Sequence, residues 1–96
     1  MNISELQKLI MAQAKEKRWG TVPEDVSVLE KLALVHSEVS EALQAYRHNN
    51  IDGKDGFYEE LGDIIMRVLH LAGIYGVDIE KKIVKKIEIN KGREWK

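Results

Sequence analysis

Two short acidic stretches carry the residues with chemistry to offer. Glu38-Val-Ser-Glu41 and Glu60-Leu-Gly-Asp63 each set two carboxylates three residues apart, and side chains at that spacing share one helix face with about 5–6 Å between Cβ atoms. On a helical wheel centred on Glu38, residues Leu34, Ala42 and Ala45 lie within about 40°, with Val35 and Val39 to one side. Centred on Glu60, residues Ile64, Arg67, Leu71 and Ile74 fill a similar arc, with Asp63 at its edge. Carboxylates are rarely buried unless paired, and a cluster of them repels itself. A hard divalent cation resolves both problems. Mg²⁺ takes oxygen ligands at roughly 2.0–2.1 Å and keeps water for chemistry, with Mn²⁺ as a possible substitute. Glu38, Glu41, Glu60 and Asp63 are therefore candidate metal ligands and catalytic groups. The competing reading is two solvated helix faces, since such pairs arise by chance in helical sequence. Two of them flanked by core residues on consecutive helices weigh against it.

The elements that must hold these acids are helical throughout. Proline occurs once and strand-like alternation is nowhere sustained. The first helix is expected over about Ile3–Arg18, capped by Asn2 or Ser4, with Ile3, Leu6, Leu9, Ile10 and Ala14 as its apolar stripe. Trp19-Gly20-Thr21-Val22-Pro23 ends it. Ser27 stands three residues before Glu30, a capping-box pattern that opens a second helix running to about Arg47. The polar stretch 48–56 is rich in turn formers, and a third helix follows over Phe57–Tyr75, stopping at Gly76. Asp78 caps a fourth, to about Asn90, lysine-rich on one face (Lys81, Lys82, Lys85, Lys86) and apolar on the other (Ile79, Ile83, Val84, Ile87). Four helices with short links predict an all-α, antiparallel four-helix bundle.

The totals narrow the class of function. Ninety-six residues suit one domain, 1–96, small enough that assembly into a homo-oligomer would help cover its apolar stripes. A net charge of −1 points to neither nucleic acid nor a membrane surface. The absence of cysteine removes disulfides, zinc thiolates and thiol catalysis together. Met-Asn-Ile-Ser-Glu-Leu at the N-terminus has neither the basic nor the hydrophobic region of a signal peptide. No apolar run approaches the roughly 20 residues of a transmembrane helix. The expected location is the cytoplasm.

The ordered set of motifs resembles a known family. His36-Ser37-Glu38-Val39-Ser40-Glu41-Ala42-Leu43, then Glu59-Glu60-Leu61-Gly62-Asp63-Ile64-Ile65, is similar to the E-E-x-x-E and E-x-x-D motifs of the MazG-like all-α nucleoside triphosphate pyrophosphohydrolases. Lys86-Ile87-Glu88-Ile89-Asn90-Lys91-Gly92-Arg93 resembles that family's closing K-x-x-x-N-x-x-R element. The likeness runs from about Trp19 to Trp95. Ser37 stands in place of the first acid of E-E-x-x-E, so Glu38 and Glu41 carry over as ligands. The basic tail that often follows N-x-x-R in related proteins is not seen before Lys96. The resemblance implies Mg²⁺-dependent attack of water between the α and β phosphates, giving a nucleoside monophosphate and pyrophosphate. It also implies a homodimer or dimer of dimers.

The remaining candidates face the substrate. Arg67, one turn past Asp63, either reaches a phosphate or pairs with Asp63. Lys86, Lys91 and Arg93 are expected to clamp the triphosphate, with Asn90 bonding the nucleotide. Trp19 either stacks on a base or packs as a hinge aromatic. His36 is expected as a core histidine, and His70 lies near the acidic edge. A nucleoside triphosphate is thus the leading substrate. Two alternatives compete: a phosphoribosyl-ATP pyrophosphohydrolase, and a non-catalytic helical oligomerisation module with solvated acids.

Overall fold

Helices α1 (Ile3–Lys17), α2 (Val28–Arg47), α3 (Phe57–Ile74) and α4 (Ile79–Lys91) make up the computed structural model, which describes residues 1–93. A 3₁₀ turn, Pro23–Asp25, interrupts the link between α1 and α2. No strand occurs among the described residues, and the all-α four-helix bundle expected from the sequence is what forms.

Local chemistry sets the ends of each helix. The Asn2 side chain accepts from the Glu5 amide at 2.8 Å while Glu5 reaches back to the Asn2 amide, a reciprocal cap on α1. Arg18 closes the same helix in a left-handed conformation. Ser27 caps α2 through the Glu30 amide, and Asp78 caps α4 through the Glu80 amide. Gly76, at φ +68, takes the left-handed position beyond α3 that a Cβ disfavours.

Helix α3 lies at the centre of the packing. It carries α2 on one side and α1 on another, while α4 packs chiefly on α1. The approach of α1 to α3 is close: a Cβ on Gly73 would run into Met11 Sδ. Buried Gln7 ties three segments together. Its Nε2 donates to the carbonyls of Leu69 (3.1 Å) and Val77 (2.9 Å), and its Oε1 accepts from the Ile79 amide at 3.2 Å. Between α2 and α3, Asn50 accepts from the Phe57 amide through its carbonyl and donates through its side chain to the Lys54 carbonyl. Tyr46 meets Phe57 edge to face at 5.4 Å across the same connection. These contacts fix how far the acidic turn of α2 lies from that of α3.

The sequence-derived stripes need three corrections. Ile10 and Ala14 are buried as expected, but Leu6 and Leu9 are exposed and Gln7 takes the inward position between them. His36 is exposed rather than in the core. Along α4, residues 81–89 are all exposed, Ile83, Val84 and Ile87 among them. A helix of 13 residues is marginal on propensity alone, so α4 depends on its seat against α1. No described helix is long and apolar enough to cross a membrane.

Candidate functional site

The small side chains at the α2–α3 seam, Ala42 (buried) and Ala45 (partly so), let the two acidic turns face each other. Carboxylate oxygens of Glu38, Glu60 and Asp63 all lie within 4.8 Å of one another. The three acids differ in environment. Glu60 is only 6% exposed, the Glu38 side chain 12%, and Asp63 is open to solvent. Glu41, the fourth acid of the motif, stands outside this triangle on the neighbouring surface.

Each carboxyl is held differently. Arg67 Nε donates to Glu38 Oε1 at 2.9 Å, so the ion pair bridges α3 to α2 rather than linking Arg67 with Asp63 on its own helix. Burial opposes ionisation of Glu38. Hydrogen bonds from Arg67 and from the Glu60 and Glu41 carboxyls, with the guanidinium charge, outweigh it, and its pKa falls below the ordinary value. Glu60 moves the other way. Burial first, then the adjacent Glu38 carboxyl and the charges of Glu41, Glu38 and Asp63, push it up to about 7. Its Oε2 is buried with no hydrogen-bond partner. A buried carboxylate oxygen left without a donor is costly.

That oxygen is the observation that tests the fit of a metal. It sits beside two further carboxylates, and an all-oxygen, doubly or triply anionic donor set suits a hard divalent cation. Glu38, Glu60 and Asp63 are the residues that would hold it.

Two clefts adjoin the acids. One, of about 440 Å³, is lined by Ile10, Trp19, Lys31, Glu38, Asp63, Met66, Arg67 and His70. Its lining combines apolar and aromatic side chains with two of the acids and two cations. The other, of about 580 Å³, is polar and includes Ser37, Ser40, Glu41, His48, Asp55 and Glu60. The acids thus separate a cleft with a tryptophan in its wall from one without tryptophan, tyrosine or phenylalanine.

The structure brings Trp19 and Arg67 to the acids, but not the four candidates on α4 and just beyond its end. Lys86, Asn90, Lys91 and Arg93 line neither cleft. Lys91 pairs with Glu88 on its own helix at 2.9 Å, and Asn90 buries an unpartnered Oδ1. Lys31, Ile10 and Met66 are lining residues the sequence reading passed over. Lys31 was within reach of it, standing seven residues before Glu38 and hence on the same face. His48 and Asp55 were not, because their place depends on the fold of the 48–56 connection.

The acids, their order and their helical seats match those of a known family, and the sequence comparison decides it. The model of the MazG nucleotide pyrophosphohydrolase domain matches residues 26–94. The chain belongs to the MazG family. No curated protein and no solved structure matches it. The match takes in α2, α3 and α4 with both acidic motifs, whereas α1 and Trp19, which close the aromatic cleft, precede it. The MazG family consists of nucleotide pyrophosphohydrolases, hydrolases that act on nucleotides.

Proposed function

We propose that the protein is a Mg²⁺-dependent nucleoside triphosphate pyrophosphohydrolase of the cytoplasm, cleaving between the α and β phosphates. The observation that carries this reading is the unpartnered, buried Glu60 Oε2 among three converging carboxylates, two of which, Glu38 and Asp63, line the cleft walled by Trp19. A bound Mg²⁺ would offset charge on the phosphate oxygens and lower the pKa of a coordinated water.

The chain's own residues supply the rest. Trp19, Ile10 and Met66 offer flat and apolar surface to a nucleobase, and Lys31 and Arg67 present positive charge beside the acids. Arg67 also holds Glu38 ionised and fixed in place. Glu60, pushed up to about 7 by burial and the neighbouring acids, is the carboxyl that a bound divalent cation would relieve most directly. Glu41, whose charge already acts on Glu60, completes the ligand set by turning in from the polar cleft.

Assembly is part of the proposal. The chain exposes 7406 Å², against about 5,600 Å² for a monomeric globule of this mass, and the excess is of the size that homodimer interfaces bury. A dimer, or a dimer of dimers, would cover the apolar face of α4. It would also bring Lys86, Asn90, Lys91 and Arg93 of one copy toward the acids of another.

Incubation with Mg²⁺ and a panel of nucleoside triphosphates and phosphoribosyl-ATP, monitored for pyrophosphate and orthophosphate separately, tests the reading. Pyrophosphate from nucleoside triphosphates is the expected product. Release from phosphoribosyl-ATP alone would move the assignment to that substrate. No pyrophosphate from any nucleotide would leave a non-catalytic helical module.

A further inference from the structure

One buried titratable side chain is left without a part in this chemistry. His70 is 7% exposed and lies on α3, three residues after Arg67 and seven after Asp63, so all three point to the same side of the helix. Its ring does not touch the acids' hydrogen bonds. It faces the turn between α1 and the 3₁₀ segment instead. The Gly20 carbonyl can only accept, so His70 Nε2 carries the proton and donates it, at 2.9 Å. The same ring meets Trp19 edge to face, with centroids 6.3 Å apart and planes inclined at 60°.

The turn is shaped to receive that bond. Gly20 sits at φ +101, where an L side chain is strained, and a Cβ there would lie 2.6 Å from Val26 Cγ1. Trp19 is anchored on one side by its amide to the Ala14 carbonyl (2.9 Å), and Thr21 on the other by its amide to Asp25 Oδ2 (3.1 Å). Both anchors belong to the turn and its own flanks. The His70 bond crosses to α3. Trp19 itself is 44% exposed and lines the cleft. Without a tie to α3, nothing in these local bonds would hold the indole at a set distance from Glu38 and Asp63.

We propose that His70 is a positioning residue that sets Trp19 at a fixed span from the acids and so makes the cleft select ligands bearing a planar base. Asp63, Arg67 and His70 share one rigid helix, which transmits that span. The proposal rests on the reading of this cleft as the nucleotide site, and it predicts that His70 acts on the base and not on the phosphates.

The test uses the full chain with Trp95→Phe, so that fluorescence reports Trp19. His70→Phe keeps a ring and removes the donor, whereas His70→Gln keeps an N–H able to reach the Gly20 carbonyl. Far-UV dichroism checks that each variant retains its helices. In His70→Phe, acrylamide quenching of Trp19 should rise and KM for nucleoside triphosphates should increase about tenfold with kcat within about twofold, since loss of base stacking is an effect of that order. Inhibition by inorganic tripolyphosphate, which has no base, should be unchanged, and His70→Gln should recover most of the KM. Unchanged Trp19 quenching in His70→Phe would overturn the proposal, as would equal weakening of nucleotide and tripolyphosphate. Should the parent chain hydrolyse no nucleotide, the catalytic reading falls. The quenching comparison still decides whether His70 holds Trp19.

Discussion

Replacing Glu60 by glutamine isolates the strain that the acidic cluster places on the fold. The substitution keeps the side-chain volume, removes a negative charge, and puts an amide donor where a buried carboxylate oxygen has no partner. Above neutral pH the metal-free chain must hold Glu60 ionised beside Glu38, Asp63 and Glu41. A rise from the ordinary 4.5 to about 7 corresponds to an upper limit of roughly 3 kcal/mol against the folded state, at about 1.4 kcal/mol per pKa unit. Asp63 and Glu41 are exposed and screened by salt, which reduces the expected gain in Glu60→Gln to about 1–3 kcal/mol. For a domain of this size that is a rise of roughly 5–15 °C in Tm.

The sign has its own pH signature. Between pH 4.5 and about 7 the unfolded chain releases the Glu60 proton while the folded chain retains it, so stability of the wild type falls as pH rises through that window. Glu38, held below its ordinary value, contributes stability that disappears only as pH falls beneath that range. Thermal unfolding in a chelator, at fixed protein concentration, should show Glu60→Gln melting above wild type near pH 8 and with it near pH 5. Activity should be lost at both. A variant that melts below wild type near pH 8 would refute the reasoning, because Glu60 would then be a structural partner and not a destabilising ligand.

Saturating Mg²⁺ or Mn²⁺ should raise the wild-type Tm where Na⁺ at equal ionic strength does not, by about 2.7 kcal/mol at a hundredfold excess over Kd, and Glu60→Gln should lose the gain. Gly62 has open space around it and lies within α3, so Gly62→Ala should stabilise by about 0.5–1 kcal/mol in chemical denaturation. Gly73→Ala should destabilise, because its Cβ would meet Met11, and Met11→Ala should relieve most of that second effect. Gln7→Leu strips hydrogen bonds from the Leu69 and Val77 carbonyls and the Ile79 amide and should cost about 1–3 kcal/mol, read as an earlier denaturant midpoint with activity retained in the folded fraction.

Helix boundaries were legible because caps are local. Asn2, Ser27, Asp78 and Gly76 announce their positions by residue type, and each sits within a residue or two of the expected end. The convergence of Glu38, Glu60 and Asp63 was legible for a related reason: helical periodicity placed each acid at the edge of a stripe that must meet a neighbour. What periodicity cannot specify is which of two facing partners a side chain takes. Arg67 lies one turn from Asp63 in sequence, yet binds Glu38, because the guanidinium is drawn to the more buried carboxylate across the seam. Gln7 illustrates the converse. A polar residue inside an apolar stripe reads as solvent-facing until the backbone groups it must satisfy, seventy residues away, are in place.

Helix α4 is the helix that the rest of the chain covers least. Its apolar face pointed to a core, and its Lys86, Asn90 and Lys91, with Arg93 beyond its end, resembled a phosphate clamp, but both inferences presuppose a surface that α1 alone does not provide. Nine successive residues stay exposed along it, while Lys31 and Arg67 line the cleft beside the acids, the second already engaged by Glu38. A triphosphate brings about four negative charges, and the carboxylates of the site already offset part of the charge of those two cations and of a divalent ion. The shortfall in charge at the cleft and the uncovered face of α4 are complementary, and one contact between two copies would remove both.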